Sequence, residues 1–191
     1  MERCGEGGPR TTESLLYLVG LTRIEKVGPK TCRLLLQHFG SAEDVFLASK
    51  KMLGKIPGIG EKTIKAIQSK EILLQAEKEL LFSEKHGIEV ISWFDERYPK
   101  KLKEIADAPI VLYLRGEMPK SDHAQVAIVG TRTPSKSGRK IAADFARYFS
   151  KLGITVVSGL AYGVDYEAHN STLQAGGKTV AVLGHGLDQV Y

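Results

Sequence analysis

Three short stretches of the chain could hold an anion through main-chain N–H groups and hydroxyls. They are Gly130-Thr131-Arg132, Ser158-Gly159-Leu160-Ala161-Tyr162-Gly163 and Gly184-His185-Gly186. Their small residues leave room for a ligand backbone, and Ser and Thr hydroxyls can donate to an oxyanion. Arg132 adds a planar fork suited to phosphate. In "AIVGTRTPSKSG", Ser135, Gly138 and Arg139 stand at a predicted helix start beside this turn. Arg139 and Lys140 either touch phosphate there or form a solvated face. The pattern argues against a dinucleotide. Residues 130–135 read Gly-Thr-Arg-Thr-Pro-Ser, and a pattern begun at Gly184 meets Gln189 where GxGxxG needs glycine. There is no Walker lysine loop either. A chain of phosphates passing across adjacent loops suits these residues better.

Ser158, Asp165 and His169 could form a hydrolytic trio, with Asp165 and His169 four apart on one helix face. The competing assignment is favoured: Asp165 caps the helix, and His169 orients a loop or packs in the core. Ser158 is not in a G-x-S-x-G elbow, and one helix is a poor platform for aiming an imidazole at a serine. Lys178 precedes a strand, at the end opposite the loops, and is expected to be solvated.

A different chemistry is suggested by "KIPGIGEKT". Gly58 and Gly60 separate two helices, with Lys62 and Thr63 opening the second. Glycine permits close approach of a phosphate, and the helix start offers N–H groups and a positive dipole end. A helix-hairpin-helix module grips a nucleic-acid backbone in this way. "KVGPKT" at 26–31 is a degenerate copy. The same glycines also suit a turn that only caps helices, as Gly28 and Gly40 do, or a module that docks protein.

These residues need elements to hold them. Before Gly87 the sequence predicts helices: "TTESLLYLVGL", then "GPKTCRLLLQHFG" with Pro29 first and Gly40 as the stop. Ser41 is the expected N-cap of the next, with Asp44 three residues on. Leu73, Ala76, Glu77, Leu80 and Leu81 recur at three-four spacing in a helix from Lys70 to His86. From Ile88 the period changes. Strands are predicted at "IEVISW", "IVLYLRG", "QVAIVG", "ITVVSG" and "TVAVLG". The last three are nearly continuous apolar runs, as in parallel strands covered on both faces. Between them lie a helix with Ile141, Phe145, Tyr148 and Leu152 on one face and a second from about Val164 to Ala175. The expected fold class is α/β. A small all-helical, SAM-like or helix-hairpin-helix domain over 11–86 follows a loose tail at 1–10. A Rossmann-like, doubly wound, mostly parallel sheet occupies 87–191. That sheet would have an unfinished apolar edge. The expectation is a fragment, the alternative an oligomer contact that covers the edge.

Bulk properties set limits. The chain has 191 residues, 42% apolar and 26% charged, with a formal charge of +5. This suits a globular protein and permits a polyanionic partner. Cys4 and Cys32 make neither a disulfide framework nor a zinc pattern, so no metal is expected and a reducing compartment fits. No secretory h-region precedes the helices, and no apolar run reaches the length of a membrane span. A cytoplasmic location without membrane contact is expected.

Four ordered segments carry a specific resemblance: "GIEVISWFDERYPKKLKEIADAPIVLYLRG", "VAIVGTRTPSKSG", "VVSGLAYGVDYEAH" and "GGKTVAVLGHGLDQVY". Together they resemble the DNA-processing protein A family (DprA, also called Smf). The resemblance covers nearly the whole chain. It implies a binding protein rather than an enzyme, needing no cofactor: a single-stranded-DNA-binding recombination mediator. Such a mediator protects incoming DNA in natural transformation and loads RecA. The family's partners are single-stranded DNA, a RecA-type recombinase and, in the full-length protein, a second copy of itself. Its G-S/T-R turn matches Gly130, Thr131 and Arg132, and its S-G-x-A-x-G-x-D stretch matches Ser158, Gly159, Ala161, Gly163 and Asp165. These are the expected DNA contacts, with Ser135, Gly138, Arg139, Gly184 and Gly186 beside them. Gly58, Gly60, Lys62 and Thr63 are the possible hairpin contacts. Tyr162 is the local candidate for stacking on a base. The alternative function is a Rossmann-like nucleotide-phosphate hydrolase. Such enzymes carry a PGGxGT-type loop, whereas "AGGKTVAV" here runs into a strand.

Overall fold

A computed structural model describes residues 12–119 and 123–188. The expected tail at 1–10 and Cys4 lie outside the described residues. The first elements are helices: α1 (Thr12–Arg23), α2 (Pro29–Phe39), α3 (Ala42–Leu47), α4 (Lys50–Leu53), α5 (Glu61–Ile67) and α6 (Lys70–Lys85). Their limits follow local chemistry. Pro29 opens α2, where its missing N–H costs nothing. The Ser41 hydroxyl accepts from the Asp44 N–H at 3.0 Å and donates to the Asp44 carboxylate at 2.6 Å. That reciprocal contact fixes the start of α3.

α1 packs on α6 and α3, and α2 packs on α3. Leu18, Leu21, Leu35, Val45, Leu53 and Ile67 lie at the centre of this core. The face of α6 is narrower than its spacing predicts. Leu73, Ala76 and Leu80 turn inward, whereas Glu77 and Leu81 are exposed.

Two strands follow, β1 (Glu89–Ser92) and β2 (Val111–Leu114), with α7 (Lys100–Lys103) between them. They pair antiparallel and form their own two-stranded sheet. Ile110 and Val111 belong to the helical core. The Arg33 guanidinium reaches the carbonyls of Ala106 and Ala108, tying α2 to this segment. Two compact units therefore divide after Met118, whereas the change in composition falls near Gly87. The difference is this hairpin. Its residues read as strand, and its apolar side is buried against helices.

In the second unit, β3 (Gln125–Ala127), β4 (Thr155–Ser158) and β5 (Thr179–Ala181) form a parallel sheet in that order. α8 (Lys136–Lys151) connects β3 to β4, and α9 (Val164–Gln174) connects β4 to β5. The two helices pack on each other and both rest on β4, so they share one face of the sheet. This is a Rossmann-like α/β arrangement, preceded in the chain by a small helical unit. Sequential parallel strands place all three loops of interest at one edge, the carboxyl end.

The interior of α8 differs from its periodicity. Ala142, Ala143 and Ala146 are buried, whereas Ile141, Phe145, Tyr148 and Leu152 are each more than half exposed. Small residues let α8 approach α9 and the sheet closely, so the large apolar stripe faces away from that contact.

Candidate functional site

The first two loops interlock. Pairing of β3 with β4 continues past Ala127, with the Ile128 N–H on the Val157 carbonyl at 3.0 Å. The Ser158 hydroxyl donates back to the Ile128 carbonyl at 2.7 Å. Gly130 then meets the first residue of α9: a Cβ there would lie 2.8 Å from Val164 Cγ2. Gly163 meets the other side of the turn. Its φ of +87° suits glycine, and a Cβ would collide with the carbonyls of Thr131 and Arg132. The Val164 N–H donates to the Thr131 carbonyl at 3.1 Å and closes the joint. The two glycines thus allow two backbones to touch. Here the close approach is made by the chain itself.

Above this joint the side chains are free. Thr131 and Arg132 are exposed, and the Thr131 hydroxyl accepts from the Thr133 N–H at 3.2 Å. Among the described residues Arg132 has no ion-pair partner. Arg139 does have one: its guanidinium meets Glu167 at 3.3 Å and links α8 to α9. Ser135 is the N-cap of α8, accepting from the Gly138 N–H at 3.1 Å. Lys136 is exposed in the first turn of α8, which contains no acidic residue. A cationic side chain and a helix start with no local acid make this rim attractive to anions.

The second loop is braced from below. The Gly159 N–H donates to the Asp165 carboxylate at 3.0 Å, and both Asp165 and Ser158 are buried. Asp165 thus holds the loop rather than capping α9, whose N-cap is Gly163 with no side-chain cap bond. His169 lies deeper. Its Nδ1 pairs with the Thr179 hydroxyl at 2.7 Å, which donates to the Val156 carbonyl at 2.8 Å. The imidazole therefore donates from Nδ1. Its Nε2 is buried and makes no well-formed hydrogen bond among the described residues. Burial lowers the His169 pKa from its usual value, partly opposed by the Asp165 charge and the Ser158 backbone. Ser158, Asp165 and His169 each bond elsewhere, and the Ser158 proton points to a carbonyl rather than an imidazole. That geometry is not a nucleophile activated by a base.

The third stretch is joined to the second by the Val182 N–H on the Ser158 carbonyl at 2.8 Å. Gly184 has open space around it, whereas a Cβ on Gly186 would collide with the Asp188 carboxylate. Ala161 is partly buried, inside the loop that carries Tyr162 outward.

The hairpin residues lie in the other unit. Gly58 has a φ of +82°, and Gly60 is the extended N-cap of α5 with nothing near its Cα. Lys62 is exposed and Thr63 partly buried.

The structure thus gathers Gly130, Thr131, Arg132, Ser158, Gly159, Gly163 and Asp165 at one edge. Sequence inspection missed Ile128, Val164 and Thr179, which fix the loops through contacts that have no sequence signature. Among the described residues no three metal-ligating side chains gather.

Comparison with known proteins identifies relatives of the chain. The sequence profile described as DNA recombination-mediator protein A matches residues 89–191. That described as a SAM-like helix-hairpin-helix tandem matches residues 19–70. Protein Smf of Synechocystis sp. is 35% identical over 182 residues, covering 92% of this chain and 45% of that protein. DNA processing protein DprA of Streptococcus pneumoniae is 43% identical over 100 residues, covering 52% of this chain and 35% of that protein. The chain spans less than half the length of these relatives. The X-ray structure of DNA processing protein A (DprA) from Streptococcus pneumoniae is similar with a TM-score of 0.69 and 30% identity. That similarity covers 95% of this chain and 60% of the other. A profile matched along its α/β half, a helical tandem ahead of it and a shared fold at this identity place the chain in the DNA recombination-mediator protein A (DprA/Smf) family.

Proposed function

We propose that this chain binds single-stranded DNA by its sugar-phosphate backbone, across the loops at the carboxyl ends of β3, β4 and β5. The observation that carries this reading is Arg132. It stands exposed and, among the described residues, without an ion-pair partner, on a turn that Gly163 and Val164 brace from below. An arginine on a braced turn has less backbone freedom to lose on meeting phosphate than one on a loose loop. Gly130, Thr131, Ser135, Gly138, Gly159, Ala161, Gly184 and Gly186 shape the surrounding surface. Ser158 and Asp165 act from beneath it. Gly58, Gly60, Lys62 and Thr63 supply a second backbone contact from the helical unit.

The role is that of a recombination mediator which protects DNA taken up in natural transformation and delivers it to a RecA-type recombinase. The protein works in the cytoplasm, as a homodimer when full length, and without a cofactor. The relatives are named as DNA processing proteins, and the profile as a recombination mediator. Binding is favoured over hydrolysis because Ser158, Asp165 and His169 are engaged with Ile128, Gly159 and Thr179.

The test is a salt titration of oligonucleotide binding by the wild-type chain and Arg132→Ala. Loss of one charge-assisted contact predicts roughly ten-fold weaker binding, similar for every sequence. The slope of log affinity against log salt should flatten by about 0.7. Unchanged affinity and slope would remove Arg132 from the contact.

A further inference from the structure

We infer that Tyr162 and Tyr166 form a platform on which bases of the bound strand stack. The inference rests on the DNA-binding reading above and adds a second kind of contact to it. Tyr162 precedes Gly163, the residue that touches the carbonyls of Thr131 and Arg132. Tyr166 stands one helical turn on, and its N–H donates to the Ala161 carbonyl at 3.0 Å. Tyr162 and Tyr166 therefore flank in sequence the glycine whose backbone meets that of Thr131 and Arg132, one in the loop and one in the first turn of α9.

Both rings are open to solvent. Tyr162 is 69% exposed and Tyr166 55%. Among the described residues neither ring meets another ring, and neither hydroxyl has a hydrogen-bond partner. Neither side chain contributes to the core, and neither hydroxyl is tied down. Leu160, in the same loop, is 45% exposed and has a φ of +59°. A non-glycine residue rarely adopts that conformation, which is strained. The loop and the start of α9 thus keep Leu160, Tyr162 and Tyr166 in water. Phosphate alone needs none of them.

A single strand offers what such a surface lacks. Its bases are unpaired, and each has a flat apolar face joined to a backbone that Arg132 can hold. Tyrosine is suited to this, being a rigid aromatic body with a polar tip that tolerates solvent before binding. Stacking on tyrosine is tolerant of sequence, because every base has a π-face. In a duplex those faces are covered, so the platform would select single strands over double strands.

Two oligonucleotides of equal length distinguish the contacts: an oligothymidylate and the same phosphate chain with abasic residues. Fluorescence anisotropy of the purified chain should show tighter binding of the thymidylate. Tyr162→Ala and Tyr166→Ala should each weaken thymidylate binding roughly ten-fold. Abasic binding and the salt slope should stay unchanged. Tyr162→Phe and Tyr166→Phe should restore wild-type affinity. An unchanged melting temperature identifies folded variants, as expected for exposed positions. Equal binding of both oligonucleotides by the wild-type chain would overturn stacking and leave backbone binding intact. The same holds if the alanine variants weaken both oligonucleotides alike or neither, the last result marking the tyrosines as a protein-facing surface. Failure of the wild-type chain to bind either oligonucleotide would overturn the DNA-binding reading, and stacking with it.

Discussion

Gly163 does two things at once. Its backbone is left-handed, and its Cα faces two carbonyls of the neighbouring loop. Gly163→Ala should therefore destabilise the second unit by about 2 kcal/mol or more, through strain and displacement of the Arg132 turn. Urea denaturation measures it. Asp165 offers a graded comparison. Asp165→Ala removes the acceptor of the Gly159 N–H and should cost about 1 kcal/mol. Asp165→Asn keeps an amide oxygen in the same place and should cost less. Similar DNA affinity for wild type and Asp165→Asn would agree with a bracing role.

His169 adds a pH dependence. Its pKa is lowered in the folded chain from a usual value of 6.5, chiefly by burial. The unfolded chain therefore takes up the proton first as pH falls. Stability should be fully present above pH 6.5 and decline below it, towards the lowered folded value. His169→Gln should flatten that part of the curve.

Residue types near the loops were legible from sequence, because Gly, Ser, Thr and Arg after apolar runs have few uses. Their partners were not. Nothing in the sequence indicates that Gly130 rests on Val164, or that the Ser158 hydroxyl turns to Ile128. The glycines were legible as close approaches, whereas the approaching backbone proved to be the chain's own.

At the scale of elements, order and type were largely legible and the buried faces were not. Periodicity identifies α8 from Ile141, Phe145, Tyr148 and Leu152. Packing buries Ala142, Ala143 and Ala146 instead. A helix seated tightly on another needs small residues at the seam, and hydrophobic spacing cannot distinguish that seam from a stripe left outside. The consequence is measurable. Ile141→Ser should change the stability of this chain by no more than about 0.5 kcal/mol. Ala146→Leu, at a fully buried position, should cost about 1–3 kcal/mol by overpacking. Denaturant midpoints of the two variants decide it.

The β1–β2 hairpin gives the same lesson. Its strands follow from alternation and β-branched residues. Its neighbour depends on Ile110 and Val111 meeting the helical core, a long-range contact absent from local pattern. The helix-hairpin-helix segment was legible because turn chemistry is local. Gly58 needs a positive φ, and Ser41 and Ser69 cap helices within three residues.

At the scale of the molecule, a modest positive charge and two compact units suit a polyanion without specifying where it lies. Two surfaces compete for it. One is the carboxyl end of the parallel sheet, with Arg132 and two exposed tyrosines. The other is the hairpin around Gly60 and Lys62. The sheet edge takes the leading part, because its cation sits on a turn braced through Gly163 and Val164. Amide hydrogen exchange of the chain with and without a saturating single-stranded oligonucleotide tests that claim most directly. The account predicts slowed exchange at residues 130–135 and 158–166. Unchanged exchange there, with protection confined to residues 56–63, would contradict it.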